Sequence, residues 1–419
     1  MLGIKPYNNL IRLFKDFKYK QGVFVLGASL FAKLSSFLVS LFLIRVLSPN
    51  EFGTLSYALS AMAFFIPFSG GGIHHSFMRF APMIQLEEER EDLFRHSFYR
   101  GLLFSVVVAM LFLFLMPWFT RALDNSSSLF YWLLVYPFSY FVIELVKTRY
   151  RVNNRNRKYA SVDVYTSGSI LLFGVGLAYF FGAVAYISVF VSLPLLIGLY
   201  HVKLKGRGIP KISVKFYSYG MWAGVGAIAT QLMYSLDVFL VGKLIQDSTQ
   251  VALYRTASII PIALFFIPNS YITTHYADLA KNSLDKVFLV SFAKDYTKLF
   301  SILGIVLGAL LYFLSNFIIS LLFGQEYIEA AYLFKILIIG MIGAFIFRIP
   351  FGNLLAAVGK SNWNAGVAFT ILGLNGVLNY FAIKAWGIVG AAIVTSSLLW
   401  ISGIVSLLLF VRYLKCMNS

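Results

Sequence analysis

Long apolar runs separated by short polar segments repeat along almost the whole chain. After a basic amphipathic opening (Lys5, Arg12, Lys15, Lys18, Lys20), they occupy about 22–46, 53–80, 97–118, 129–149, 160–181, 183–202, 216–243, 251–276, 297–323, 331–357, 364–385 and 387–411. A helix of about 20 apolar residues crosses the hydrocarbon core of a bilayer, so each run is a candidate span. The runs lack the short alternation of barrel strands, and lipid admits only helices or closed barrels. The pattern therefore predicts an all-α polytopic membrane protein with about twelve transmembrane helices. The first run is too long for a signal-peptide core and has no small-residue cleavage site, so it reads as a retained span.

Composition agrees and narrows the class. The 419 residues are 59% hydrophobic and 12% charged, with a mean hydropathy of +0.79. A soluble domain carries roughly a quarter of its residues charged, so a small cytosolic enzyme, a disulfide-stapled secreted domain and a disordered chain are all excluded. Cys416 is the one cysteine, which rules out an intrachain disulfide and a cysteine-based metal site. The phosphate-binding pattern GxxxxGK[ST] is absent, so ATP is not expected as the direct energy source. No cofactor is expected.

The net charge of +18 raises nucleic acid as a partner, but its distribution argues against one. A nucleic-acid-binding surface clusters its bases on one face. Here they fall between apolar runs, where they report membrane orientation. With both termini cytoplasmic, 26 of the 35 Lys and Arg lie inside and only Arg45, Arg121, Lys243 and Lys384 at outer ends. Five remain within helices or near their ends: Lys33, Arg100, Arg255, Lys335 and Arg348.

Six spans return a chain to its starting side. The expected organisation is a cytoplasmic amphipathic segment (1–21), a six-span bundle (22–203), a basic cytoplasmic linker (204–215), a second six-span bundle (216–413) and a cytoplasmic tail (414–419). The longest connections, about 81–96 with Glu87, Glu88, Glu89, Glu91 and Asp92, and about 277–296, are expected inside. External loops are expected to be very short. An internal repeat supports the duplication: Arg45–Leu55 and Lys243–Tyr254 each carry a base, a short polar turn and an apolar-small-apolar start to a span with a mid-span proline, Pro67 or Pro268. Parallel halves of this kind are a known transporter architecture.

At these residues the chain resembles the lipid-linked oligosaccharide flippases, including O-antigen flippases, of the multidrug/oligosaccharidyl-lipid/polysaccharide exporter superfamily. The resemblance covers nearly the whole chain. It is carried by RVLSPNEFG (Arg45–Gly53), DVFLVGK (Asp237–Lys243), VALYRTASII (Val251–Ile260), LFGQEY (Leu322–Tyr327) and WGIVGAAIVTS (Trp386–Ser396). Ala252 stands where the family's second turn usually has glycine. The resemblance implies two six-helix bundles around a central cavity, alternating access, and an undecaprenyl-diphosphate-linked oligosaccharide as cargo. It also implies a multi-pass location in the bacterial inner membrane, with membrane lipid and the pathway's polymerase and chain-length regulator as candidate partners.

The polar residues inside the spans are the candidate chemistry, because a charge at a helix centre costs roughly 2.5–3.5 kcal/mol on insertion scales and normally faces protein or a wet cavity. Lys33 shares one face of span 1 with Ser29, Ser36 and Ser40, a stripe that favours a cavity lining over snorkelling. Arg348 has Gly352 one turn on and Asn353 beside that glycine; it either faces the pore or is satisfied by carbonyls or a carboxylate. Asp237, aligned with Thr230 and Tyr234, is a candidate partner for Arg348, a proton- or sodium-coupling group, or a salt bridge to Arg255. Glu144 has Tyr140 one turn before it and Lys147 three residues on, so an intrahelical pair is favoured over coupling. His74 and His75, after three glycines, make a poor metal site without a third ligand. Asn375 and Asn379, four apart, suit interhelical hydrogen bonds.

Lys33, Arg79, Arg255 and Arg348 together would give a cationic cavity, whose complement is an anion such as a diphosphate. A lipid-linked oligosaccharide flippase coupled to an ion gradient follows as the expected function. Two alternatives carry less weight. An integral-membrane glycan polymerase or ligase needs a sizeable external catalytic loop, and a multidrug exporter of the same superfamily needs an acidic cavity.

Overall fold

The computed structural model describes residues 22–123, 126–210, 212–232 and 235–417. The opening bases Lys5, Arg12, Lys15, Lys18 and Lys20, as well as Lys211, Tyr234 and the side chain of Thr230, lie outside the described residues. The described chain is helical, without strands. In order the helices are α1 (Gly22–Val46), α2 (Pro49–Met62), α3 (Ile73–Phe80), α4 (Glu87–Thr120), α5 (Ser127–Leu133), α6 (Tyr136–Val152), α7 (Asn156–Ser169), α8 (Val175–His201) and α9 (Val214–Leu232). They continue as α10 (Leu236–Ile245), α11 (Ser248–Leu264), α12 (Phe266–Lys281), α13 (Lys286–Phe313), α14 (Ser315–Leu322), α15 (Ala330–Gly343), α16 (Ile349–Ala357) and α17 (Ser361–Cys416).

Among the described residues, nine stretches are long and apolar enough to cross a membrane. Two of them, Asn156–His201 and Ser361–Cys416, run to 46 and 56 residues, more than one crossing needs. Each breaks at a glycine in the left-handed region, Gly182 at φ 71° and Gly387 at φ 59°, where a Cβ would be strained. These breaks fall between the apolar runs that end at 181 and 385 and those that follow. Large apolar side chains such as Phe114, Phe180, Phe181 and Phe313 point outward, the arrangement expected when the solvent is lipid. The protein is an all-α, multi-pass membrane protein.

The two connections expected to be longest are mostly helix. The acidic cluster Glu87–Asp92 forms the first turns of α4, where the exposed amides at a helix N-terminus favour negative charge. The second connection shrinks to a turn after α12, closed by Asp285, whose carboxylate accepts from the Phe288 amide as the N-cap of α13.

The chain divides into two compact units. Unit 1 comprises Met1–Val46, Phe64–Trp118 and Ser127–Ala227; unit 2 comprises Leu47–Ala63, Phe119–Ser126 and Ile228–Ser419. Phe77, Phe94, Phe141, Leu145 and Phe216 centre the core of unit 1. Leu279, Leu289, Leu354 and Phe410 anchor one core of unit 2. The two turns of the internal repeat meet within unit 2. Ser48 caps α2 in a reciprocal box with Glu51, and Asp247 caps α11 through the amides of Thr249 and Gln250, each satisfying otherwise unpaired donors. Ser248 Oγ donates to Asn50 Oδ1 at 2.9 Å. A Cβ at Gly53 would overlap the Ser248 carbonyl, so glycine is required at this crossing. Ala252, at the equivalent position of the second turn, is fully buried.

Candidate functional site

Unit 2 contains a carboxylate surrounded by neutral donors. Asp237 lies in the first turn of α10, near amides that favour negative charge, and is only 5% exposed. Its Oδ2 accepts from Thr395 Oγ1 at 2.6 Å and from the Tyr254 hydroxyl at 3.0 Å. Its Oδ1 accepts from Asn379 Nδ2 at 2.7 Å and Asn375 Nδ2 at 2.9 Å. The donors come from α11 and from both halves of α17, on either side of Gly387, so one acid ties three helical segments together. Four hydrogen bonds offset much of its desolvation but leave its charge unmatched.

The two asparagines carry a second signal. Asn375 Oδ1 and Asn379 Oδ1 are buried without a hydrogen-bond partner, and such orphaned carbonyls call for an explanation. The oxygen and nitrogen ends of an amide are interchangeable by rotation. Turned over, both amides would add carbonyl oxygens to the two carboxylate oxygens and the Thr395 hydroxyl. That all-oxygen set suits a small hard cation.

Unit 1 has an acidic cluster of another kind. Lys147 Nζ lies 2.9 Å from Glu144 Oε1 and 2.9 Å from Asp163 Oδ1, joining α6 to α7, and it stands 5.5 Å from the Tyr159 ring. Here one built-in ammonium is shared by the two carboxylates. His74 and His75 lie nearby on α3, with rings 4.0 Å apart and His74 edge-on to Tyr140 at 6.0 Å. They follow Gly70, Gly71 and Gly72, all at positive φ, which form the kinked segment expected of span 2. Among the described residues no group of three His, Cys, Asp or Glu is placed to hold a metal.

The candidate basic residues divide between the units: Lys33 and Arg79 in unit 1, Arg255 and Arg348 in unit 2. Lys33 and Ser36 are exposed on α1, Ser29 and Ser40 are half-buried, and Ser40 donates back to the Ser36 carbonyl. Arg79 lies 5.2 Å over the Tyr219 ring. Arg348 ends a π-helical turn, Ala344–Arg348, a feature frequent at functional sites. Its guanidinium donates to Asn364 Oδ1 at 2.9 Å, and Gly352 leaves it room. The structure thus brings Asp237 together with Asn375 and Asn379, and Glu144 with Lys147.

Residues 42–332 match the family described as polysaccharide biosynthesis protein, which is more than half of the chain. The chain belongs to that family. It is 24% identical over 402 residues to an uncharacterized membrane protein of Methanocaldococcus jannaschii, covering 84% of this chain and 77% of that one. It is 27% identical over 208 residues to a Shigella flexneri protein named as a candidate O-antigen transporter, covering 48% of this chain and 49% of that one. Its fold is similar to that of an inward-facing multidrug resistance MATE family transporter of the MOP superfamily (TM-score 0.76, 13% identity, 92% and 95% of the two chains). It is also similar to the lipid II flippase MurJ in an inward closed conformation (TM-score 0.73, 14% identity, 94% and 87%).

Three of the segments that carry the resemblance converge on one carboxylate: Asp237 begins the first, Tyr254 lies in the second and Thr395 in the third. Tyr254 and Thr395 were not among the residues expected from sequence, and neither were Asp163 or Asn364. A charge within an apolar run was the available signal for Asp163. The two hydroxyls gave none, because hydropathy treats them as ordinary members of a span.

Proposed function

We propose that this protein is a flippase for an undecaprenyl-diphosphate-linked oligosaccharide, moving the glycan head group from the cytoplasmic to the outer leaflet of a bacterial inner membrane. Family and fold are those of membrane transporters rather than enzymes. The observation that carries the reading is the family match over residues 42–332 on a fold shared with a lipid II flippase. In this reading the chain makes twelve spans with both termini inside, and the halves 22–203 and 216–413 alternate access to the cargo. Lys33, Arg79, Arg255 and Arg348 supply charge for the diphosphate, arginine by paired donors and lysine as a point charge.

Coupling would come from Asp237. A cation drives transport only through a difference in its affinity for two conformations, and Asp237 holds three helical segments that such a change could rearrange. The orphaned carbonyls favour sodium over a proton. A proton on the carboxylate can serve at most one of the two amide oxygens, whereas a cation can be ligated by both. Asp237, Asn375, Asn379 and Thr395 would hold the ion, and Tyr254 would orient the carboxylate.

Cells lacking the gene should accumulate lipid-linked glycan on the inner leaflet, read by mass spectrometry of the glycans on each side. Lys33→Ala, Arg255→Ala and Arg348→Ala should each impair rescue at normal protein level. Full export by all three would overturn the cationic-cavity reading.

A further inference from the structure

A groove of about 570 Å³ runs along the outside of the hairpin formed by the two halves of α17. Val367, Ile371 and Leu374 line one wall, and Ile401, Val405 and Leu409 the other. Val367 and Ile371 pack with Leu398 into a buried cluster, with Leu409 against it, so the groove has a fixed floor. One end is polar. Arg412 lies 5.9 Å and Lys360 5.4 Å from the Trp363 ring centre, with Asn362 on the groove's rim beside Trp363 and Arg412. Trp363 is itself packed against the Leu354–Phe410 core, which holds the aromatic platform of the two cations in place.

Gly366 decides how this surface reads. Small residues in membrane helices normally let a neighbouring helix approach closely. A Cβ at Gly366 would meet nothing within 4 Å, so this glycine, which lines the groove, widens it rather than serving helix packing.

We propose that this groove is a binding site for one anionic phospholipid, its acyl chain along the apolar walls and its phosphate at Arg412, Lys360 and Asn362. The length selects this occupant. From Asn362 to Leu374 a helix rises about 18 Å at about 1.5 Å per residue, close to half of the roughly 30 Å hydrocarbon core. The groove therefore spans one leaflet, enough for an acyl chain and too short for the whole tail of a long polyprenyl lipid. Its mouth falls at the interfacial depth where tryptophan and basic residues settle and anionic headgroups gather. All the lining residues belong to unit 2 and none is part of the Asp237 cluster, so the site stands apart from the coupling reading.

Trp363 is a built-in reporter. The purified full chain is reconstituted in phosphatidylcholine vesicles containing, at equal mole fraction, either brominated phosphatidylglycerol or brominated phosphatidylcholine. The contribution of Trp363 is obtained by difference from Trp363→Phe. Brominated phosphatidylglycerol should quench it more strongly than brominated phosphatidylcholine. Arg412→Ala should weaken that preference about fivefold, the loss of one interfacial cation. Gly366→Leu, which fills open space in a helix interior, should abolish the preference with thermal stability unchanged. Equal quenching by the two lipids, or a preference that survives Gly366→Leu, would overturn the proposal. So would displacement of phosphatidylglycerol by a smaller mole fraction of polyprenyl phosphate, which would assign the groove to the cargo lipid.

Discussion

Two carboxylate clusters lie among the helices of this protein, and they solve the same electrostatic problem differently. In unit 1, Glu144 and Asp163 share Lys147 at 2.9 Å each. In unit 2, Asp237 is held by two amides, a phenol and a hydroxyl. An acid with a lysine built beside it carries its counter-charge permanently, and such a pair serves to join helices. An acid with only neutral donors keeps its geometry but leaves its charge to be balanced by something that can come and go. The orphaned carbonyls of Asn375 and Asn379 sharpen the difference, since rotation of the two amides would turn spare acceptors toward the carboxylate. The lesson is that a resident cation among the donors, rather than the presence of an acid, separates a structural bridge from a coupling site.

Substitutions at the two clusters should therefore differ in kind. The largest effect is expected from Asp237→Asn, which keeps the shape and removes the charge. Ion-driven transport in vesicles should fall at least about thirtyfold, the loss of a charged ligand worth about 2 kcal/mol, with normal protein level. An equal loss of transport and of folded protein would erase the contrast with unit 1. Lys147→Met should instead act on stability, lowering it by about 1–3 kcal/mol in thermal melts; the bridge is partly exposed, so the effect sits below that of a fully buried pair. Joining it to Glu144→Gln and Asp163→Asn should restore most of the loss, without altering ion dependence at any stage. Thr395→Ala and Asn379→Ala each remove one neutral oxygen and should raise the half-saturating ion concentration about fivefold, or about 1 kcal/mol. Arg79→Ala, which removes an exposed cation from the Tyr219 ring, should change stability by less than about 0.5 kcal/mol.

Much of this architecture was legible from the pattern of apolar residues. The helix Gly22–Val46 coincides with the first run, and the breaks at Gly182 and Gly387 fall between runs, because glycine inside an apolar pattern both interrupts hydropathy and permits a left-handed turn. The start of α4 was not legible. Glu87, Glu88 and Glu89 read as a loop by their charge, yet a helix N-terminus is where those charges are favourable. The Asp237 cluster was half legible. The acid and the two asparagines stood out as polar residues in apolar runs. Their association did not, because the contacts join residues 138 and 142 positions apart. Tyr254 and Thr395 were hidden by their side chains, which score as ordinary span residues until a partner is known.

The coupling assignment is tested most directly by ion-dependent stability of the purified full chain, followed by thermal denaturation at constant ionic strength as sodium replaces choline. A ligand that binds only the folded protein stabilises it by about 2.7 kcal/mol at a hundred times its dissociation constant. The melting temperature should rise with sodium in the native protein, stay flat in Asp237→Asn, and rise in Lys147→Met from a lower starting point. A sodium response that is unchanged in Asp237→Asn, or absent from the native protein, would contradict the assignment of the ion site to unit 2.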